Sequence, residues 1–211
     1  RRQEPDVDRP TEYLQAGIEL IGGADPAAEE AEVFNLIRSA LGDLVDRVIT
    51  GDLGVIFAAI DALSVSEVRK AALRRHVWRP KRFHALIERF ANPIEPNPSR
   101  TALLSQSSVE RRKGIADAGK FVGLRGEGEI LERLDILDAD AAEPPLSASD
   151  RAMIEAVLAV SGPSNEALAE LRRICPRSMA PALGRMERRL DALAAKGIEA
   201  SDLSFDATFG R

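Results

Sequence analysis

Gln15, Gly17 and Glu19 are the residues of this chain best suited by type and spacing to hold a ligand. They lie in Thr11-Glu-Tyr-Leu-Gln-Ala-Gly-Ile-Glu-Leu-Ile21, where apolar and polar residues alternate, so a β-strand is predicted. Successive strand side chains point to opposite faces. One face carries Leu14, Ala16, Ile18 and Leu20; the other carries Tyr13, Gln15, Gly17, Glu19 and Ile21. An amide and a carboxylate therefore share a face, with Cα atoms ~13 Å apart at ~3.3 Å of rise per residue. Gly17 leaves the gap between them open, which suits a small polar ligand whose cationic group meets the carboxylate. An antiparallel strand with one face in water gives the same pattern. Glycine inside a strand weakens it, which favours a reason for its presence.

No other constellation carries chemistry. No Ser/His/Asp or Cys/His arrangement presents itself, and no carboxylate pair is set for acid–base work, so no catalytic residue is assigned. His76, His84 and Cys175 have no metal-ligand spacing, so neither a metal nor a cofactor is expected. A single cysteine excludes an internal disulfide framework and fits a reducing cytosol; Cys175 reads as a packed small hydrophobe. Gly123-Leu-Arg-Gly-Glu-Gly128 has the wrong glycine order for a phosphate loop and lacks the Lys-Ser/Thr pair, so a turn between helices is expected.

The 211 residues are 45% hydrophobic and 30% charged, ordinary globular material. No run of 18 apolar residues occurs, so no membrane span is expected, and a cytoplasmic protein is. The chain begins Arg1-Arg2 without methionine, so the start is read as not native, with room for a removed targeting segment. The net charge of −5 argues against nucleic acid as the main partner. One stretch runs the other way: Arg69, Lys70, Arg74, Arg75, Arg79, Lys81 and Arg82 come without an acid among them, interleaved with His76 and Trp78. It reads as a patch for RNA or an acidic protein surface, or as a solvated helix face.

The elements that position these residues follow from caps and periodicity. Asp25-Pro26 starts a helix whose buried stripe is Val33, Leu36, Ile37, Ala40 and Leu41, and Gly42 breaks it. Arg47–Thr50 is a short strand. Asp52 caps a helix bearing Val55, Ile56, Ala59, Ile60 and Leu63. Ser66 caps another through His76, with Pro80 as an interruption and a further helix over Phe83–Ala91. Asn92–Pro98 and Ala139–Ser149 are proline-bearing loops, and Ser108–Gly119 is a helix between them. Ser149 and Ser164 cap later helices. Ser178–Lys196 carries the stripe Leu183, Met186, Leu190 and Leu193, closed by Gly197. Ile198–Phe209 returns to alternation and rejoins the sheet.

A family resemblance rests on the first residues. Arg1, Pro5, Arg9, Tyr13, Gln15, Gly17 and Glu19 stand, without a gap, in the pattern of motif 2 of class II aminoacyl-tRNA synthetases. The form resembles histidyl-tRNA synthetase and its synthetase-like paralogue, the ATP phosphoribosyltransferase regulatory subunit. Phe205-Asp-Ala-Thr-Phe-Gly-Arg211 resembles the approach to the family's second histidine-site segment, with Arg211 matching its arginine. Departures fall on the nucleotide side: Gln3 stands for Glu, Glu4 for Arg, Asp8 for Gly, and Pro10-Thr11 for an aromatic–arginine pair. Phosphate sites rest on arginine, and Glu4 and Asp8 would repel a triphosphate.

The resemblance implies an α+β fold: a partial class II synthetase-like antiparallel sheet with helices and a mostly helical insertion. The implied division is a first part of the core at 1–63, the insertion at 64–150, and helices returning to the core at 151–211. It implies a non-catalytic regulatory subunit, required by the short-form catalytic ATP phosphoribosyltransferase subunit for the first step of histidine biosynthesis. Histidine is the implied effector, self-association is expected, and tRNA is not an expected partner. Gln15, Gly17, Glu19 and Arg211 are the implied ligand-binding residues; Arg1 and Arg9 could meet phosphate or carboxylate. A divergent histidyl-tRNA synthetase and a synthetase-like ligand-binding module are the alternatives.

Overall fold

The computed structural model describes residues 16–92, 97–120, 123 and 125–210. Ten α-helices and three short strands form among them. The helices are α1 (Pro26–Leu41), α2 (Leu53–Ala62), α3 (Glu67–His76), α4 (Pro80–Ala91), α5 (Pro98–Leu104), α6 (Ser108–Asp117), α7 (Glu127–Ala142), α8 (Ala148–Ala159), α9 (Ser164–Ile174) and α10 (Ala180–Ala194). The strands are β1 (Val48–Thr50), β2 (Ser161–Pro163) and β3 (Leu203–Asp206). Among the described residues no helix is long and apolar enough to cross a membrane.

Local chemistry sets most boundaries. Asp25 accepts the Ala27 amide at 3.1 Å, Asp52 the Gly54 amide at 2.8 Å and Ser66 the Arg69 amide at 3.3 Å, each satisfying a donor the helix leaves free. Pro80 separates two helices as expected, with α3 ending at His76; the second helix begins at Pro80 itself, where a missing N–H costs nothing, rather than at Phe83. The cap of α8 is Ser147 rather than Ser149: its hydroxyl accepts the Asp150 amide at 3.0 Å. Ser164 is not a cap either, since it is the first residue of α9 and its buried hydroxyl donates to the Leu203 carbonyl at 2.8 Å. That bond ties α9 to β3. The loop expected over Ala139–Ser149 is partly helix, because α7 runs on to Ala142.

The sheet order is β1-β3-β2. β3 pairs antiparallel with β2, Gly162 opposite Phe205, and parallel with β1, Ile49 opposite Ser204. An antiparallel sheet was expected; the described sheet is mixed. Strands 155 residues apart by register (Val48 with Leu203) meet after a long helical crossover, and such connections bring parallel neighbours together. The strand expected over Thr11–Ile21 is not borne out where it can be seen. Ala16–Ile21 form no ladder, since no described strand lies alongside to supply hydrogen bonds; Thr11–Gln15 lie outside the described residues.

One apolar cluster sits under the sheet. It takes Ile56 and Ile60 from α2, Leu73 from α3, Phe83, Ile87 and Phe90 from α4, Ile154 and Val157 from α8, Leu171 from α9, Met186 and Leu190 from α10, and Phe205 from β3. α1 lies along α10 and sends in the buried Ala31 and the half-buried Phe34. Its remaining stripe was expected to be buried. Leu36, Ile37 and Leu41 are instead 46%, 39% and 41% exposed, because the contact with α10 uses the other edge of the helix.

Candidate functional site

Of the six predicted site residues, Gly17 and Glu19 fall within the described structure; Gln15, Arg1, Arg9 and Arg211 lie outside it. The segment Ala16–Asp25 runs without regular structure into the N-terminus of α1. Its alternation survives the loss of the strand: Ile18 and Leu20 line a groove of about 520 Å³ against Val33, Phe34 and Ile37 of α1. Gly17 and Glu19 are exposed. A Cβ built at Gly17 meets nothing within 4 Å, so packing among the described residues does not require a glycine there. Glu19 makes no hydrogen bond or ion pair with another described residue. Its carboxylate is therefore open to a cationic ligand group.

The other predicted end is held differently. β3 closes in a turn where Asp206 accepts the Thr208 amide and hydroxyl, both at 2.7 Å. Phe209 then passes over Gly51. A Cβ at Gly51 would stand 2.7 Å from the Phe209 carbonyl oxygen, so only glycine permits this approach. The segment leading to Arg211 is thus fixed at the C-terminal end of β1, beside the start of α2. Asp52 there is also met by Arg189 at 3.3 Å, and Arg189 reaches Glu30 of α1 at 3.9 Å. This arginine links α10 to both elements that flank the candidate site. Sequence reading missed it, because a helical arginine pattern does not say which acids the fold will bring to it.

Other candidates are answered by their partners. The Gly126 amide donates to Glu129 at 3.0 Å, so a carboxylate already occupies the start of α7 where a phosphate would sit. Burial pushes the Cys175 thiol up to about 11, keeping it protonated and a poor nucleophile. Among the described residues no group of histidine, cysteine and carboxylates is arranged to hold a metal.

The basic run divides. Arg69 is buried and is no part of a surface patch. Its guanidinium donates to Asp140 at 3.0 Å, to the Pro144 carbonyl at 2.8 Å and to the Asp140 carbonyl at 3.0 Å. It locks α3 to the end of α7. Lys70 pairs with Glu67 at 3.2 Å, and its hydrogen bond holds the Glu67 carboxyl below its usual value. Arg74 pairs with Asp61 and, at 3.5 Å, with Glu67. Arg75, Arg79, Lys81 and Arg82 remain exposed.

No family model matches the chain. It is 29% identical, over 97% of its length, to proteins of Brucella canis and Brucella ovis, each named ATP phosphoribosyltransferase regulatory subunit. The sequence likeness is to ATP phosphoribosyltransferase regulatory subunits. The chain spans 58% of the length of these relatives. Among solved structures, a Bacillus halodurans protein described as an ATP phosphoribosyltransferase regulatory subunit/histidyl-tRNA synthetase superposes with a TM-score of 0.50 at 20% identity. That match covers 89% of this chain and 36% of the other, and it shows a shared fold. The chain thus has a fold also found in a synthetase-like regulatory subunit, built here as a mostly helical body with a three-stranded sheet.

Proposed function

We propose that this chain belongs to a non-catalytic regulatory subunit of ATP phosphoribosyltransferase that assembles with a short catalytic subunit and conveys feedback by histidine. The observation that carries the reading is the likeness along 97% of the chain to proteins bearing that name. The residue types before the candidate segment support it. Glu4 and Asp8 place negative charge where a nucleotide's phosphates would need cations, while Gln15, Gly17 and Glu19 keep the groups an amino acid would use. In this reading Glu19 and Gln15 take the α-amino end of histidine, and Arg211 with Arg9 meets its carboxylate. The 64–150 segment is a helical insertion between two parts of the core. The subunit works in the cytoplasm with partners that include copies of itself.

The test is reconstitution. Full-length protein mixed with a short catalytic subunit should raise the rate of phosphoribosyl transfer to ATP and co-elute with it. A protein that leaves the rate unchanged, yet supports histidine-dependent exchange of pyrophosphate into ATP, is a divergent synthetase. The Bacillus halodurans neighbour keeps that second reading in view, since its description carries both names.

A further inference from the structure

We propose that the turn between α3 and α4 docks an acidic segment of a partner protein, through Arg75, Trp78, Arg79, Lys81 and Arg82. This goes beyond the regulatory reading and does not rest on it.

The five residues lie within eight positions of the chain and all are exposed, Trp78 by 56%. The turn that gathers them is rigid. The Arg79 amide donates to the His76 carbonyl at 2.9 Å, and the Arg82 and Phe83 amides both donate to the Arg79 carbonyl at 2.9 Å. Val77 and Phe83, buried at 0% exposure, anchor its two sides in the core. The cations are unspent. Lys70 and Arg74 are neutralised by Glu67 and Asp61, whereas Arg75, Arg79, Lys81 and Arg82 meet no carboxylate among the described residues. No acid occurs in the sequence between Glu67 and Glu88. Four like charges within eight positions of the chain disfavour one another, and Lys81 and Arg82 also oppose the dipole at the start of α4. A carboxylate-rich partner relieves both.

The kind of partner follows from composition and extent. Tryptophan and arginine are the residues most concentrated at the energetic centres of protein interfaces. Here a half-exposed indole lies within four positions of the exposed Arg75, Arg79 and Arg82. The patch is also short. Beyond it the charges are paired, Glu67 and Asp61 with Lys70 and Arg74 and Glu88 with Arg151, and the chain carries net negative charge. A long, uniformly charged nucleic acid leaving the patch would meet no unpaired cation among these flanking residues. A short acidic segment with an apolar residue for Trp78 needs none there.

The probe is a fluorescein-labelled peptide of about ten residues, glutamates around a central leucine pair, titrated into the full-length protein and read by anisotropy. Saturable binding is expected at low salt, weakening as the Debye length shortens. R79E/R82E should lose more than tenfold in affinity through added repulsion, and W78A about tenfold through loss of the anchor. All these side chains are exposed, so thermal melting should be unchanged and a folding defect would show there. Absence of saturable binding at low salt overturns the proposal, and so does unaltered affinity in either variant. Tighter binding of a uridine RNA of about ten nucleotides also overturns it, giving the surface to nucleic acid.

Discussion

α1 and α10 are amphipathic helices of nearly equal length, 16 and 15 residues, packed against each other, and they end up in opposite surroundings. The stripe Leu183, Met186, Leu190 and Leu193 of α10 is buried, none of it more than 6% exposed. The stripe Leu36, Ile37 and Leu41 of α1 stays about two-fifths exposed. Periodicity announces a stripe but not what covers it. α10 lies between α1, α2 and α9, so its apolar face is enclosed on several sides. Among the described residues α1 packs chiefly on α10, and Ile18 and Leu20 line its groove. The candidate ligand segment therefore belongs to the open part of the molecule, while the closed body supplies rigidity.

The largest expected effect sharpens this contrast directly. Leu190→Ala should cost about 2–5 kcal/mol in urea denaturation, as removal of a buried side chain does, whereas Ile37→Ala should cost under about 1 kcal/mol. Equal losses would mean that α1 is covered as fully as α10. Next comes Arg69→Ala in the closed body, expected to cost about 3 kcal/mol because Asp140 and the Pro144 carbonyl lose their donor together. A negligible change would show that α3 and α7 are not locked by this residue. Ser147→Ala should cost about 1 kcal/mol as a lost helix cap, with Ser149→Ala close to neutral; the reverse order would move the start of α8.

The smallest effect is a pH dependence. The folded thiol of Cys175 is raised from its ordinary 9.0 to about 11 by burial. Between those values the folded chain holds a proton that the unfolded chain releases, so stability falls as pH rises through that window. Cys175→Ala should remove that part of the alkaline loss, measured as the urea midpoint against pH.

Much of the body was legible in the sequence because local chemistry decides it. Asp25, Asp52 and Ser66 cap where their side chains reach the next free amides, and Val55, Ile56, Ala59 and Ile60 are all buried as their spacing indicates. The misses have tertiary causes. The break at Pro80 was legible, but the second helix starts there rather than at Phe83, because proline suits a first helical position as well as a break. Ser147 and Ser149 are both capping residues two positions apart, and packing of Leu146 against α4, whose Phe90 carbonyl accepts its amide at 2.7 Å, settles which one acts. α5 went unread, since Asn97 and Pro98 look like the end of a loop rather than the cap and first residue of a helix. Arg69 counted as surface charge until α7 brought Asp140 and Glu143 to it. The parallel pairing of β1 with β3 links distant residues that no local pattern relates. For the candidate site, residue types and order were readable from Gln15 to Glu19. The strand that was to carry them needs a partner that no described residue provides.

The proposed contact of Glu19 with the α-amino group of histidine is tested most directly by calorimetry of histidine binding to the full-length protein. Glu19→Ala should weaken binding by about 1.5–3 kcal/mol, the worth of a hydrogen bond to a charged group, leaving the urea midpoint unchanged because the side chain is exposed. Histidine affinity equal to that of the unmodified protein would contradict the account.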